Sequence, residues 1–344
     1  MADKEKYRKY CRSDSSIPVF AKDWWLDAAC GESNWDVALI ENNGEIVASF
    51  PYYIKRRFGI KAITMPWLTQ NAGIRIKYPR GQKEECRIAY EKELIYKLLD
   101  RLPNFPIFRQ NFHYSFTDWQ PLCWKGFRET TCYTYVIDDL TNLDAVFDGF
   151  SKTAKKNIRK AQKTFEVYSN ESIEDFYRIH KKVFERQGIN YPYSLDFLKR
   201  LDAACSENNS RRILYARDGT GKVYSAVYIV WDSESAYLLM SGSEIELRGY
   251  NGKTLLVWEA IRFASTVTQK FDFEGSMIER IAEYNRQFGA VPKPYYYIFK
   301  EHPLISGLAG LFNRLTHIIK GGKSHDGQNI YREQGICSPD PVRI

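Results

Sequence analysis

The sequence predicts an α/β fold of mixed sheets: two tandem β-β-β-α-β-α-β units joined by a basic helix. Three observations carry this expectation. A hairpin pattern at residues 37–54, turning at Asn42-Asn43-Gly44, recurs at 212–231 with its turn at 218–221. A constant offset maps Gly44 onto Gly221 and Ile46 onto Val223, the mark of an internal repeat. Each hairpin is then followed by a third strand, a helix, a strand, a helix and a strand, in one order.

In the first copy, two apolar strands flank an Asn-Gly turn, which is a strong hairpin signal. Residues 60–67 read as the third strand. Periodic apolar positions over 84–101 predict a helix that stops before Pro103. A strand at 105–112, a short helix near 119–124 and a strand at 128–137 complete the copy. A further short helix opens at Asp23.

Between the copies, residues 151–163 form a helix with Lys152, Lys155, Lys156, Arg159, Lys160 and Lys163 along one stripe. Ala154, Ile158, Ala161 and Phe165 lie opposite them. A cationic stripe is ordinarily a solvated helix face; read as functional, it suits a polyanion or an anionic membrane surface. Ser172-Ile-Glu-Asp175 is a capping box that opens a helix ending at Gly188. His180 falls on the inward face of that helix, where a core role is expected.

The second copy has its third strand at 236–241, a nearly all-apolar helix after Thr254, a strand at 271–275, a helix at 278–288 and an aromatic strand at 295–300. An amphipathic helix is expected at 304–320 and a disordered tail from 321. The domains predicted are 1–140, 141–320 and the tail 321–344.

At 344 residues the chain is long enough for about two domains. Its composition is that of a soluble globular protein, 44% hydrophobic and 27% charged. A net charge of +8 favours anionic partners but falls short of a dedicated nucleic-acid binder, and DNA is not expected. The seven cysteines are scattered with no CxxC and read as reduced thiols. The charged N-terminus has no apolar signal core, so a cytoplasmic location is expected, with the inner face of the membrane open to it.

Several chemistries are disfavoured. Gly252-Lys253-Thr254 matches the end of a P-loop, but its first glycine position, 247, is Leu. The five histidines lack metal-ligand spacing, so no metal is expected. No GxSxG elbow and no dinucleotide fingerprint is present. What remains is a strand, a turn (Arg248-Gly249-Tyr250-Asn251-Gly252-Lys253) and a helix opened by Thr254. A helix start exposes unpaired N–H groups and the positive end of the dipole, which suits a phosphate. The glycines allow close approach, and Arg248 and Lys253 add charge. On the neighbouring strand, alternation sends Asp272 and Glu274 to one face and Phe271 and Phe273 to the other.

The unit order and this turn resemble the GNAT acyltransferases, and the duplication resembles their FemAB-like branch. Met65-Pro-Trp-Leu-Thr-Gln70, Gln110-Asn-Phe-His-Tyr114, Asp118-Trp-Gln-Pro121, Trp124-Lys-Gly-Phe127, Tyr133-Thr-Tyr135, Asn157-Ile-Arg-Lys-Ala161 and Phe271-Asp-Phe-Glu-Gly-Ser276 carry the likeness, over roughly residues 24–300. One departure stands out: the family's glycine spacing in the turn is shifted here by one position.

The resemblance implies N-acyl transfer from acyl-CoA, acetyl-CoA first, to an amine on an amino sugar or a cell-envelope or polysaccharide precursor. Met240, Ser241, Arg248, Gly249, Gly252, Lys253 and Thr254 would hold the donor. Asp272 or Glu274, with His113 as an outsider, would take the proton. Gln70, Gln110, Asn111, Trp119 and Trp124 would line the acceptor site; the plain reading of these five is packing. Two alternatives stay open: aminoacyl transfer from charged tRNA, and a non-catalytic scaffold for an anionic partner.

Overall fold

The computed structural model describes residues 2–57, 59–169, 172–244, 251–275 and 277–302. In chain order the elements are α1 (Asp3–Ser13), α2 (Asp23–Cys30), β1 (Trp35–Asn42), β2 (Glu45–Arg57), β3 (Ile60–Thr64), β4 (Arg75–Ile76), α3 (Glu84–Asp100), β5 (Ile107–Asn111), α4 (Gln120–Trp124) and β6 (Arg128–Ile137). There follow α5 (Leu143–Asp148), α6 (Lys152–Ala161), β7 (Glu166–Ser169), α7 (Ile173–Glu185), α8 (Leu195–Glu207), β8 (Arg211–Arg217), β9 (Val223–Trp231) and β10 (Ser235–Ser243). The last are α9 (Gly252–Ala264), β11 (Lys270–Asp272), α10 (Glu279–Arg286) and β12 (Val291–Glu301).

The chain divides into two compact units. One comprises Met1–Ser13, Cys30–Cys132 and the strand from Pro294; the other comprises Asp14–Ala29 and Tyr133–Lys293. The first unit's strands run β1-β2-β3-β5-β12, with β4 on β2. All neighbours are antiparallel except β3 and β5. In the second unit the order is β11-β10-β9-β8-β7, and the later residues of β6 pair with β11. There the parallel pair is β10 and β11.

Each unit is thus a three-stranded meander followed by a parallel strand and an antiparallel last strand. The mixed α/β architecture in two related units is the one the sequence predicts. The last strands, however, are exchanged: β12 pairs with β5, and β6 pairs with β11. The second unit thus takes in residues 14–29 and 133–140, and the first takes in 294–301. Alternation marks a strand but carries no record of which edge it joins.

Apolar periodicity explains the two cores. The first holds Phe50, Ile63, Leu94, Leu98, Phe108, Phe112 and Ile298. In the second, α9 is buried nearly all round through Leu255, Leu256, Val257, Ala260, Ile261 and Ala264, as an all-apolar helix must be. The small face of α6 (Ala154, Ile158, Ala161) packs against it. Ser172 caps α7 through the Asp175 N–H, as the capping box predicts. His180 is buried on α7, in the core position expected.

Three helices went unpredicted, the short α5 among them. α1 buries only Tyr7 and Cys11, too sparse a stripe to read. By contrast, α8 has a legible pattern (Phe197, Leu198, Leu201, Cys205) and an N-cap, Ser194. The helix expected at 304–320 and the tail from 321 lie outside the described residues. Cys11, Cys30, Cys86, Cys123 and Cys205 are free thiols.

Gly275 lies against β6 so tightly that an added Cβ would overlap the Tyr133 carbonyl oxygen. Gly275→Ala should therefore lower the stability of the chain by about 1–3 kcal/mol, the usual range for overpacking. Urea unfolding measures it, and an unchanged midpoint would contradict so close an approach.

Candidate functional site

The second unit's site is built where two parallel strands part. β10 and β11 pair only from Ser235↔Lys270 to Tyr237↔Asp272. From there β10 continues along β9 to Ser243, whereas Phe273 turns its N–H to the Tyr135 carbonyl. β10 also carries an extra residue between Tyr237 and Met240, a bulge that bends the strand at this point. Met240 and Ser241 follow the bulge. Gly242 faces α7, where a Cβ would sit 3.1 Å from the His180 Cα.

α9 starts at Gly252, preceded by Asn251 in the left-handed conformation (φ 60°) with no side-chain capping bond. Its first-turn N–H groups, including those of Gly252, Lys253 and Thr254, have no acceptor within the helix. Gly252 is needed for packing: a Cβ would lie 3.0 Å from Ser225 Oγ and 3.3 Å from the Phe165 ring. Its glycine thus answers to the helix's close seat on β9, a different reason from the ligand approach expected of it. The Lys253 ammonium lies 4.9 Å from the Tyr284 ring centroid, and burial lowers its pKa to about 8. Arg248 and Gly249 lie outside the described residues.

His180 is no candidate base. Burial, and then the Lys253 charge, push its pKa down to about 3, so it is neutral, with Nδ1 2.8 Å from the Tyr191 hydroxyl.

The two carboxylates differ in kind. Asp272 Oδ1 accepts from the Thr134 hydroxyl and from the Glu274 N–H (2.8 Å), and Thr134 Oγ1 accepts from the Gly275 N–H (2.9 Å). This network pins the chain end where β11 stops. Burial, helped by Asp232, raises the Asp272 pKa to about 6 against the pull of those two donors. The strand is shorter than the 271–275 expected, and Glu274 adopts φ +51°, so it is turned rather than alternating. A non-glycine residue held in that region costs energy and points to a function as its cause. Glu274 Oε1 is enclosed with no hydrogen-bond partner among the described residues. Burial, and then the Asp272 charge, raise its pKa well above the usual carboxylate range.

The remaining candidates belong to the first unit. His113 lies just past β5, with Nδ1 2.7 Å from Ser115 Oγ. Gln70, Gln110 and Asn111 are buried, and Asn111 Nδ2 donates to the Gln70 carbonyl. Trp119 packs on the core near Tyr296, whereas Trp124 is 61% exposed. Sequence reading missed Thr134 and Tyr284. Both act across long sequence separations, so no local signal marks them.

On α6, Lys152, Lys156, Arg159, Lys160 and Lys163 are exposed, and Lys155 pairs with Asp148. The stripe is real as a surface.

Residues 149–276 match the Acetyltransferase (GNAT) domain family model. Among solved structures, FemX is similar at 12% identity and a TM-score of 0.65, over 88% of this chain and 97% of that one. The fold is that of the GNAT superfamily, in its FemAB-like form. The C-terminal domain of a putative lysylphosphatidylglycerol synthetase from Agrobacterium fabrum is also similar (13% identity, TM-score 0.51, 89% and 93% covered). So is L-PGS from Bacillus licheniformis (10%, 0.50, 88% and 93%). At these identities the likeness is one of fold. A search of the curated proteins finds no match. Within this GNAT-type fold, the matched residues, 149–276, include the Asp272–Glu274 turn.

A raised carboxyl pKa gives a pH signature. Between pH about 4, where a free Asp titrates, and about 6, where Asp272 does, the folded chain keeps a proton that the unfolded chain has released. Stability contributed by Asp272 therefore falls as pH rises through that window. Asp272→Asn retains the acceptor Oδ1 and should flatten this fall. A pH–stability slope unaltered in the variant would show that Asp272 does not titrate there.

Proposed function

We propose that the protein is an N-acyltransferase that moves an acyl group from acyl-CoA to an amine. The observation that carries the reading is Glu274, on a strained turn beside the gap where β10 and β11 part, with Oε1 enclosed and without a hydrogen-bond partner among the described residues. The donor's pyrophosphate would meet the first-turn amides of α9 at Gly252, Lys253 and Thr254, with the Lys253 ammonium adding charge. Residues 248 and 249 of the same turn are proposed with them. An acyl arm reaching into the gap would run beside Met240 and Ser241, whose main-chain amides suit a thioester carbonyl oxygen.

In this reading Glu274 takes the proton of the amine as it attacks the thioester carbonyl, and the sulfur leaves as the C–N bond forms. Burial, and then the Asp272 charge, raise the Glu274 pKa, which makes the ionised carboxylate a stronger proton acceptor. Asp272 then holds the turn that aims Glu274, and His113 is not needed as a base. The acceptor class favoured is an amino sugar or a cell-envelope or polysaccharide precursor, with Gln70, Gln110, Asn111, Trp119 and Trp124 proposed for its recognition.

Transfer of labelled acetyl from acetyl-CoA to amino sugars tests the proposal. Glu274→Gln should lower kcat by about a hundredfold or more, the usual contribution of a general base, with little change in donor KM. Lys253→Met should do the reverse, raising donor KM about tenfold. No binding of any CoA ester to the wild type would sink the reading.

The α6 stripe favours a second reading, aminoacyl transfer from charged tRNA. Lys152, Lys156, Arg159, Lys160 and Lys163 share one exposed face, and no described acidic side chain forms an ion pair with Lys152, Lys156, Arg159 or Lys163. An anionic membrane surface would meet the same face, and the lipid-named neighbours, the lysylphosphatidylglycerol synthetases, support it. Among the described residues no helix is long and apolar enough to cross a membrane, so such contact would be peripheral. Reversing Lys156, Arg159 and Lys160 to Glu should abolish salt-dependent tRNA binding. Binding that survives the reversal removes this reading.

A further inference from the structure

Residues 14–29 precede β1 in the chain yet belong to the second unit. The bond that ties them to the β9–β10 turn spans 213 residues: the Val19 N–H donates to Asp232 Oδ2 at 3.1 Å. Ser233 Oγ donates to the Ser15 carbonyl (2.9 Å), and Arg200 Nε, on α8, donates to the Ala28 carbonyl (2.9 Å). Ile17, Val19, Phe20 and Trp25 are buried, so the segment is part of the packed unit.

Nothing in the proposed reaction uses this segment, but its attachment point governs the gap. Asp232 Oδ1 accepts from the Glu234 and Ser235 N–H groups, both at 2.9 Å, and so shapes the turn between β9 and β10. The Glu234 carbonyl accepts from the Lys270 N–H, and Ser235↔Lys270 is the first rung of the parallel pair. The register that begins there ends two rungs later at Tyr237↔Asp272, where β10 and β11 part.

The same segment covers the last rung. Alternation puts Ala236 and Phe271 on the side of the α9 core, and Tyr237 and Asp272 on the other. On that other side the Phe20 ring lies 4.8 Å from the Tyr237 ring, and the Tyr237 hydroxyl donates to Asp232 Oδ2 at 3.3 Å. One carboxylate therefore joins residues 14–29, the β9–β10 turn and the residue level with Asp272. Its charge is felt at Asp272, where it adds to the effect of burial. Hydrogen bonds to a carboxylate are among the strong ones, so this junction is a firm one.

We infer that residues 14–29 are a strap that positions the Asp272–Glu274 turn, with Asp232 as the positioning residue through which it acts. Its consequence for catalysis rests on the proposed function: the strap would hold Glu274 where the attacking amine needs it.

Hydrogen exchange of the full chain, with no donor present, tests the strap. The amides to follow are those of Phe273, which donates to the Tyr135 carbonyl, of Glu274, which donates to Asp272, and of Gly275, which donates to Thr134. Asp232→Asn keeps an oxygen for the turn but sets an Nδ2 donor against the Val19 N–H, which parts the strap from the turn. The followed amides should exchange about tenfold faster in this variant, with the β8 and β9 amides unchanged. Tyr237→Phe removes a single donor to Asp232; it should give a smaller rise at the same positions, and it stands in should Asp232→Asn fail to fold. Transfer of labelled acetyl is measured separately, so that failure of the acyl-transfer reading is seen apart from failure of the strap. There Asp232→Asn should lower kcat about tenfold with donor KM unchanged, the signature of a misplaced reacting group. Exchange at the followed amides that is equal in the wild type and the variants overturns the inference. So does an acceleration spread evenly over the second unit, the mark of general destabilisation.

Discussion

The second unit depends on where one parallel strand pair stops. β10 and β11 share three paired positions, and the Asp272–Thr134–Gly275 network holds the chain end at the point of separation. Longer pairing would zip the gap shut. Shorter pairing would release Glu274 from the turn that gives it φ +51°. The network is buried, so its hydrogen bonds act in a low dielectric, where unmet partners are costly. That cost makes the turn a well-defined object rather than a frayed strand end.

The same burial sets the electrostatics. Asp272 spends Oδ1 on holding the turn, and Glu274 keeps an oxygen without a partner among the described residues. Desolvation raises the pKa of both carboxyls, Asp232 adds to the rise at Asp272, and the Asp272 charge adds to that at Glu274. Around the start of α9, burial acts in the opposite direction on the bases, lowering Lys253 and leaving His180 neutral. One principle therefore acts in opposite directions on the lysine at the helix start and on the carboxyls at the turn within a single unit.

Repetition gave the two units one topology and different interiors. Each has a parallel pair that parts early. In the second unit the gap is followed by a helix start with Lys253, and in the first by buried amides and an acidic helix start. Tight glycine seats, Gly252 on β9 and Gly275 on β6, let the second unit's elements approach closely enough to form its gap.

Much of this was written locally. Apolar periodicity, the Asn-Gly and Asp-Gly turns, the Ser172 cap and the α6 stripe depend on neighbours within a turn of helix or a strand pair, so the sequence alone determined most of the elements, their repeat and the cationic face. Asp272 and Glu274 were visible as a pair of acids beside a glycine turn. Their division of labour was not, because Thr134 reaches Asp272 across 138 residues. Nor could alternation say that β12 would pair with β5 and β6 with β11. Strand edges present the same backbone groups to every candidate partner, so only the packed tertiary structure, by choosing which faces to bury, decided those pairings and the ionisation of the residues between them.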